Sequence, residues 1–288
     1  MSESVEIERF FEVLPTLSDR HAPADPLHQL LKQLAHEAFA ALFGSEDEKP
    51  VPLGPFGNLV FPYFRMGAVD SVNLFDLDEL ILFSYYWTNR NRYARAVDIG
   101  GNLGLHSILM ARCGFEVRTF EPDPVHADEL ERRLALNGVD RVSLTRAAVS
   151  SEDGELEFVR VKGNTTGSHL SGAKPNPYGE LERFPVPVTA IGPLIDWADL
   201  IKLDAEGHEA EILCATTADQ WKTTDAVVEV GSADNADRVF EHFRDTGIRL
   251  FAQRQSWREV TTRSEMPESY KHGSLFISAR PEMSWTPG

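Results

Sequence analysis

The stretch AVDIGGNLGLHS, residues 96–107, decides the fold. A short apolar run ends in an acid, Asp98, and opens into a turn holding Gly100, Gly101, Asn102 and Gly104 before a helical pattern resumes. A dinucleotide-binding turn needs G-x-G-x-x-G, so that the backbone can approach a pyrophosphate at a helix N-terminus. Ending that pattern at Gly104 requires a glycine where Ile99 stands. Starting it at Gly100 requires glycines where Asn102 and Leu105 stand. Both registers fail, and the spacing present is D-x-G-x-N-x-G.

A carboxylate at the strand end, where a dinucleotide loop has an apolar residue, suits a ligand with positive charge and no phosphate. S-adenosylmethionine, with an α-ammonium and a sulfonium, is such a ligand, and the glycines let its amino-acid end lie against the backbone. Glu121 closes the next apolar run, seventeen positions after Gly104. A carboxylate there can accept hydrogen bonds from the vicinal hydroxyls of a ribose, a feature shared with nicotinamide enzymes.

Working outward, strand and helix patterns alternate. AVDIG reads as a strand and LGLHSILMARCG as a helix ending at Gly114. EVRTFEP reads as a second strand, and DPVHADELERRLALNG as a helix capped by Asp123. VSLTRAAV is expected to be a third strand. ADLIKLDAEG (198–207) and TDAVVEVG (224–231) are further strands, each followed by a helical stretch, and IRLFAQR and GSLFISA close the chain as two late strands. Such alternation predicts a parallel sheet with helices on both faces and a ligand beyond the carboxyl ends of the strands. The rhythm breaks at 162–185, a segment around KGNTTGSHLSGAKPNPYGELER with neither periodicity, which is the signature of a functional loop.

Residues 1–73 are expected to form a helical and short-strand extension, and 74–288 the ligand-binding domain. DPLHQLLKQLAHEAFAALFG supplies a cap at Asp25, Pro26 in the first turn and Gly44 as a stop, with an apolar stripe through Leu27, Leu30, Leu31, Leu34, Ala38 and Leu42. That stripe predicts either packing on the main domain, a lid, or a homodimer contact.

The chain has 288 residues and a formal net charge of −17, which repels nucleic acid and anionic lipid. No apolar run approaches the roughly 20 residues needed to span a bilayer. Its two cysteines, Cys113 and Cys214, have no metal-ligand spacing and fit a reducing compartment, so a cytoplasmic protein without a metal is expected.

VDIGGNLGLHS, FEPDP, Asn137 and IKLDAEGHEAEIL, in that order, resemble the FkbM-type family of S-adenosylmethionine-dependent methyltransferases. The family turn reads D-x-G-A-N-x-G, and Gly101 in place of alanine is expected to be a neutral small-for-small change. The resemblance implies the seven-stranded class I methyltransferase fold, Rossmann-like and mostly parallel, and methylation of oxygen on sugars or secondary metabolites. It places the cofactor against Asp98, Gly100, Gly101, Asn102, Gly104, His106, Glu121, Pro122 and Asp204, with S-adenosylhomocysteine as product. Asp204, Glu206 and His208, at a strand end and helix start, are candidate catalytic residues, and a Lys202–Glu206 ion pair is the structural alternative. His169 in the irregular segment is a rival general base, and Asn164, Thr165, Ser168, Lys174 and Tyr178 are candidate contacts to a small-molecule or glycan acceptor. His208 does not begin a zinc-protease H-E-x-x-H, because position 212 is Ile. Two other functions are weighed: a nicotinamide-dependent oxidoreductase, disfavoured by Ile99, and a non-catalytic S-adenosylmethionine-binding module, disfavoured by the intact set Asp98, Glu121, Asp204 and Glu206.

Overall fold

A computed structural model describes residues 3–174 and 179–286. The chain opens with α1 (Glu3–Val13) and α2 (Pro26–Phe43). Two ribbons follow, β1 (Val51–Pro52) with β2 (Asn58–Leu59) and β3 (Arg65–Met66) with β4 (Val69–Asp70), and then α3 (Leu77–Thr88). The alternating core begins with β5 (Arg95–Ile99), α4 (Leu105–Arg112), β6 (Glu116–Phe120), α5 (Pro124–Leu136) and β7 (Val142–Thr145). A second sheet contains β8 (Ala148–Ser150), β9 (Gly154–Val161), β10 (His169–Leu170) and β11 (Leu181–Ala190). The core resumes with α6 (Ile191–Trp197), β12 (Leu200–Leu203), α7 (Glu209–Cys214), β13 (Asp225–Val228), α8 (Ala233–Phe243), β14 (Arg249–Ala252), β15 (Arg258–Glu259) and β16 (Leu275–Ser278).

The main sheet runs β15-β14-β16-β13-β12-β5-β6-β7. It holds the seven expected strands plus β15, a two-residue edge strand. β7, β6, β5, β12 and β13 are mutually parallel, β16 lies antiparallel to β13 and β14 on either side of it, and β15 pairs antiparallel with β14. Residues alternate across the sheet: Ala96 and Val117 bury with α3, α4 and α5, while Val97, Ile99 and Phe120 bury with α6, α7 and α8. The crossovers therefore change face between β5 and β12, which leaves a crevice at the carboxyl ends of those strands.

Caps behave as the sequence predicts. Asp25 accepts from Leu27 N at 2.8 Å and Asp123 from Val125 N at 2.9 Å. The buried face of α2, however, is not the expected stripe. His28, Ala35, Phe39 and Phe43 face inward, while Leu30 and Leu34 are 54% and 51% exposed. Phe39 and Phe43 stack on Phe75, with centroids at 5.4 and 4.3 Å, and burying two phenyl rings outweighs burying two leucines. VSLTRAAV is also not one strand. The chain turns at Arg146, whose guanidinium pairs with Asp128 and Glu131, and β8 joins the second sheet beside β11.

The first 73 residues share their core with the domain that follows. Buried Arg133 of α5 donates to Pro62 O at 3.0 Å and lies over the ring of Phe61. Asn137 pairs with both the N–H and the C=O of Val60, so this motif residue ties the extension to α5. The irregular segment contains structure too: β10 pairs with β9, and Gly67 bridges Asn164.

Candidate active site

A cavity of about 860 Å³ opens at the carboxyl ends of β5, β6, β12 and β13. Of the expected site residues, Gly100, Asn102, Glu121, Pro122, Asn164, Thr165, Ser168, His169, Lys174, Asp204 and Glu206 are on its wall. Tyr178 lies outside the described residues. Asp98, Gly101, Gly104, His106 and His208 are not among the lining residues, and each has a different task.

Asp98 is fully buried beneath the turn. Ser107 Oγ donates to its Oδ2 at 2.5 Å, and Lys202 Nζ is 3.8 Å from its Oδ1. Its charge is thus directed at Lys202 and not at the cavity, which corrects the expectation of direct contact with a bound cation. Lys202 also stands 3.5 Å from Asp204 and donates to Gly100 O at 3.2 Å. Burial disfavours its ammonium, but Asp204, Asp98 and Glu79 outweigh this and raise its pKa. The alternative Lys202–Glu206 pair does not form; Glu206 pairs with Lys174 at 2.5 Å.

The glycines have unequal roles. Gly100 has φ +80°, and a Cβ there would fall 1.9 Å from Asp204 O, so the two strand-end turns touch through this residue. Gly104, at φ +84°, starts α4, and a Cβ on it would be 2.8 Å from Leu130 Cγ. A Cβ on Gly101 would sit 2.3 Å from Thr119 Oγ1 and 2.9 Å from Leu130 Cδ1. The exchange of alanine for Gly101 is therefore not neutral: Thr119 occupies the room an alanine methyl needs. His106 is turned away from the cavity, between Tyr86 OH at 3.0 Å and Glu79 Oε2 at 2.8 Å. His208 is likewise removed from the candidate catalytic set. Its Nε2 meets Ser150 Oγ at 2.8 Å because the ring turns toward β8, and burial lowers its pKa.

Glu121 is 5% exposed on the wall. Asn102 N donates to its Oε2 at 2.7 Å and Asp123 N to its Oε1 at 2.8 Å. Burial pushes its pKa up to about 8 despite these bonds. Each oxygen keeps a second lone pair for a hydroxyl donor. The N–H groups of Gly100 and Gly101 both donate to Phe120 O at 3.0 Å and that of Asn102 to Glu121, so the turn offers none of these three donors to a pyrophosphate. An acid for vicinal hydroxyls beside a turn whose amides are already engaged fits S-adenosylmethionine and not a dinucleotide.

Across the cavity, Glu206 takes φ +51°, unusual for a residue with a Cβ. Glu209, 1% exposed, holds that turn: its Oε1 accepts from Ala205 N at 3.0 Å and Gly207 N at 2.9 Å, and its Oε2 from Asn235 Nδ2 at 2.6 Å. Burial, reinforced by Asp204, raises the Glu206 pKa to about 7 although Lys174 opposes this. His169 Nδ1 lies 3.0 Å from Gly167 O; only a protonated Nδ1 makes that bond, which leaves the lone pair on Nε2. Burial lowers the His169 pKa, so the ring is neutral at pH 7.

The domain model described as "Methyltransferase FkbM domain" matches residues 98–251. The chain belongs to the FkbM methyltransferase family. A curated relative, methyltransferase sdnD of Sordaria araneosa, is 28% identical over 196 residues, covering 56% of this chain and 76% of that protein. Among solved structures, a precorrin-6y C5,15-methyltransferase from Geobacter metallireducens is 13% identical with a TM-score of 0.37, covering 66% of this chain and 82% of its own. A SAM-dependent methyltransferase from Agrobacterium tumefaciens is 8% identical with a TM-score of 0.37, covering 70% and 62%.

The FkbM-matched stretch does not enclose the cavity alone. Lys32, Asp76, Asp78, Glu79 and Tyr270, all outside residues 98–251, are also on the wall, and sequence reasoning missed them. It missed Glu229 as well, although that acid ends the strand TDAVVEVG much as Glu121 ends RTFEP, a signal that could have been read. Burial, with Asp204 and Glu206 close by, raises the Glu229 pKa well above the carboxyl range.

Proposed function

We propose that this methyltransferase takes its methyl group from S-adenosylmethionine and places it on a hydroxyl of a sugar or other small hydroxylated metabolite. One observation carries the reading: a glycine turn whose amides are already engaged, Glu121 and a neutral imidazole, His169, line the same cavity. When bound, S-adenosylmethionine supplies a methyl carbon on a sulfonium, open to in-line attack. Glu121 accepts from the ribose hydroxyls through the lone pairs that Asn102 and Asp123 leave unused. Gly100 and Asn102 present backbone to the amino-acid end, and Lys202 fixes Asp204 beside them.

An alcohol nucleophile must lose its proton, and a neutral base positioned within hydrogen-bond reach speeds this. His169 Nε2 takes that proton, while the Glu206–Lys174 pair and the Thr165 and Ser168 hydroxyls orient the acceptor. No helix among the described residues is long and apolar enough to cross a membrane, in keeping with action on a dissolved acceptor in the cytoplasm.

The test has two arms. Calorimetry with S-adenosylhomocysteine is expected to show binding, and its absence overturns the cofactor assignment. Labelled methyl donor with a panel of free sugars, glycosides and small alcohols is expected to give an O-methyl product, with kcat reduced about 100-fold or more in His169→Asn. An N-methyl product, or an unchanged kcat in that variant, removes His169 as the base.

A further inference from the structure

The outer end of the cavity is built by parts of the chain far from the glycine turn. Lys32 of α2 bridges two acids at the start of α3, with Nζ 2.7 Å from Asp76 Oδ2 and 2.9 Å from Asp78 Oδ2. The other oxygen of Asp78 accepts from Gln253 Nε2 at 2.5 Å, and Gln253 Oε1 in turn accepts from Ser274 N at 3.0 Å. Gln253 is fully buried, and it also occupies the space a Cβ on Gly273 would need. This chain of bonds fixes the 270–274 loop against the Lys32 corner. The loop carries Tyr270 on the cavity wall, and at 64% exposure Tyr270 is the most exposed of the large apolar side chains among the described residues. Its backbone is held in place, since Ser269 Oγ accepts from Lys271 N at 3.2 Å.

Lys271 Nζ stands 5.7 Å from the centre of the Tyr270 ring, and the rest of this exposed aromatic surface on the cavity wall gains by covering an apolar ring face. A lysine between two carboxylates offers a donor flanked by acceptors with unused lone pairs, which matches two neighbouring hydroxyls on a saturated ring. A flat aromatic acceptor without neighbouring hydroxyls would use the first feature and leave the second idle.

We infer that Tyr270 and the Lys32–Asp76–Asp78 cluster form the acceptor subsite: a pyranose ring stacks on Tyr270 while adjacent hydroxyls bond the cluster. The inference rests on the methyl-transfer reading, and these residues, not the glycine turn, then set acceptor choice.

The full-length chain saturated with S-adenosylhomocysteine tests it, with methyl α-pyranosides of the gluco, manno, galacto and xylo series as probes and saturation-transfer NMR as readout. At least one pyranoside is expected to bind. Tyr270→Ala should weaken it about tenfold, Tyr270→Phe should restore it, and Lys32→Met should weaken it severalfold, all with S-adenosylhomocysteine affinity changed less than twofold. Pyranoside binding that is equal in wild type and Tyr270→Ala overturns the subsite, as does binding of catechol without any pyranoside, or no binding of either. Loss of S-adenosylhomocysteine binding in the wild type would instead defeat the methyl-transfer reading itself.

Discussion

At its inner end the cavity is walled by strand ends and turns whose positions follow from sheet register: Ile99 ends β5 and Phe120 ends β6, while Gly100, Glu121 and Asp204 directly follow β5, β6 and β12. At its outer end it is walled by side chains from α2, the start of α3 and the 270–274 loop, joined through Lys32, Asp78 and Gln253. Backbone bonds fix the first set and side-chain bonds the second. A substitution in the inner wall should therefore cost stability and cofactor affinity together, whereas one in the outer wall can change the acceptor and leave the fold alone.

The largest effect is expected at Gly100→Ala. A Cβ 1.9 Å from Asp204 O at φ +80° forces the two turns apart, so chemical denaturation should show a loss of about 3 kcal/mol or more. A loss below about 1 kcal/mol would mean that the inner wall is not fixed by its backbone. Next, Glu121→Ala should weaken S-adenosylhomocysteine binding by about 1–3 kcal/mol in calorimetry, the cost of leaving buried hydrogen-bonding groups without a partner. Unchanged affinity would take Glu121 out of the cofactor site.

Gly101→Ala should cost about 1–2 kcal/mol through overpacking against Thr119, and adding Thr119→Ala should recover most of it. Additive losses in the double variant would break that account. A smaller effect concerns pH. Glu121, Glu206 and Glu209 titrate near 8, 7 and 7 in the folded chain, against an ordinary value of 4.5. Between those values the folded state holds more protons than the unfolded one. The stability these three groups contribute is thus fully present below about pH 4.5 and is lost as pH rises through 7 to 8. The buried histidines, His169 and His208 among them, have lowered pKa values and act in the opposite sense below about pH 7, so the carboxyls are read above that range: the Tm of the unliganded chain should drop by about 2 °C between pH 7 and 9. A flat or rising Tm would contradict the burial of these carboxyls. The smallest effect belongs to the outer wall: Tyr270→Ala should leave stability within about 0.5 kcal/mol, as expected for an exposed side chain.

The same contrast explains what could be read from the residues alone. The succession of strands and helices, the helix caps at Asp25 and Asp123, and the inner-wall residues Gly100, Asn102, Glu121 and Asp204 follow from local periodicity and a turn whose spacing is itself a geometry. Asp98 was misjudged because its partner, Lys202, is a hundred residues away, and no local pattern says which charge an acid will meet. His208 looked exposed to the crevice until β8 supplied Ser150, and β8 exists only because the chain turns at Arg146. Lys32, Gln253 and Tyr270 carry no motif, since their meaning arises only once segments more than two hundred positions apart are neighbours.

The position of β16 has a consequence for how the chain comes to be folded. β16 follows β14 and β15 in the chain yet is inserted between β13 and β14, so it is an interior member of the sheet. A ribosome that has released residues 1–251 has exposed two strands whose facing edges have nothing to pair with, and such edges invite association with other chains. Truncations ending at the limit of the family match, residue 251, should accordingly precipitate on synthesis, whereas chains continued through Ser278 should stay dispersed.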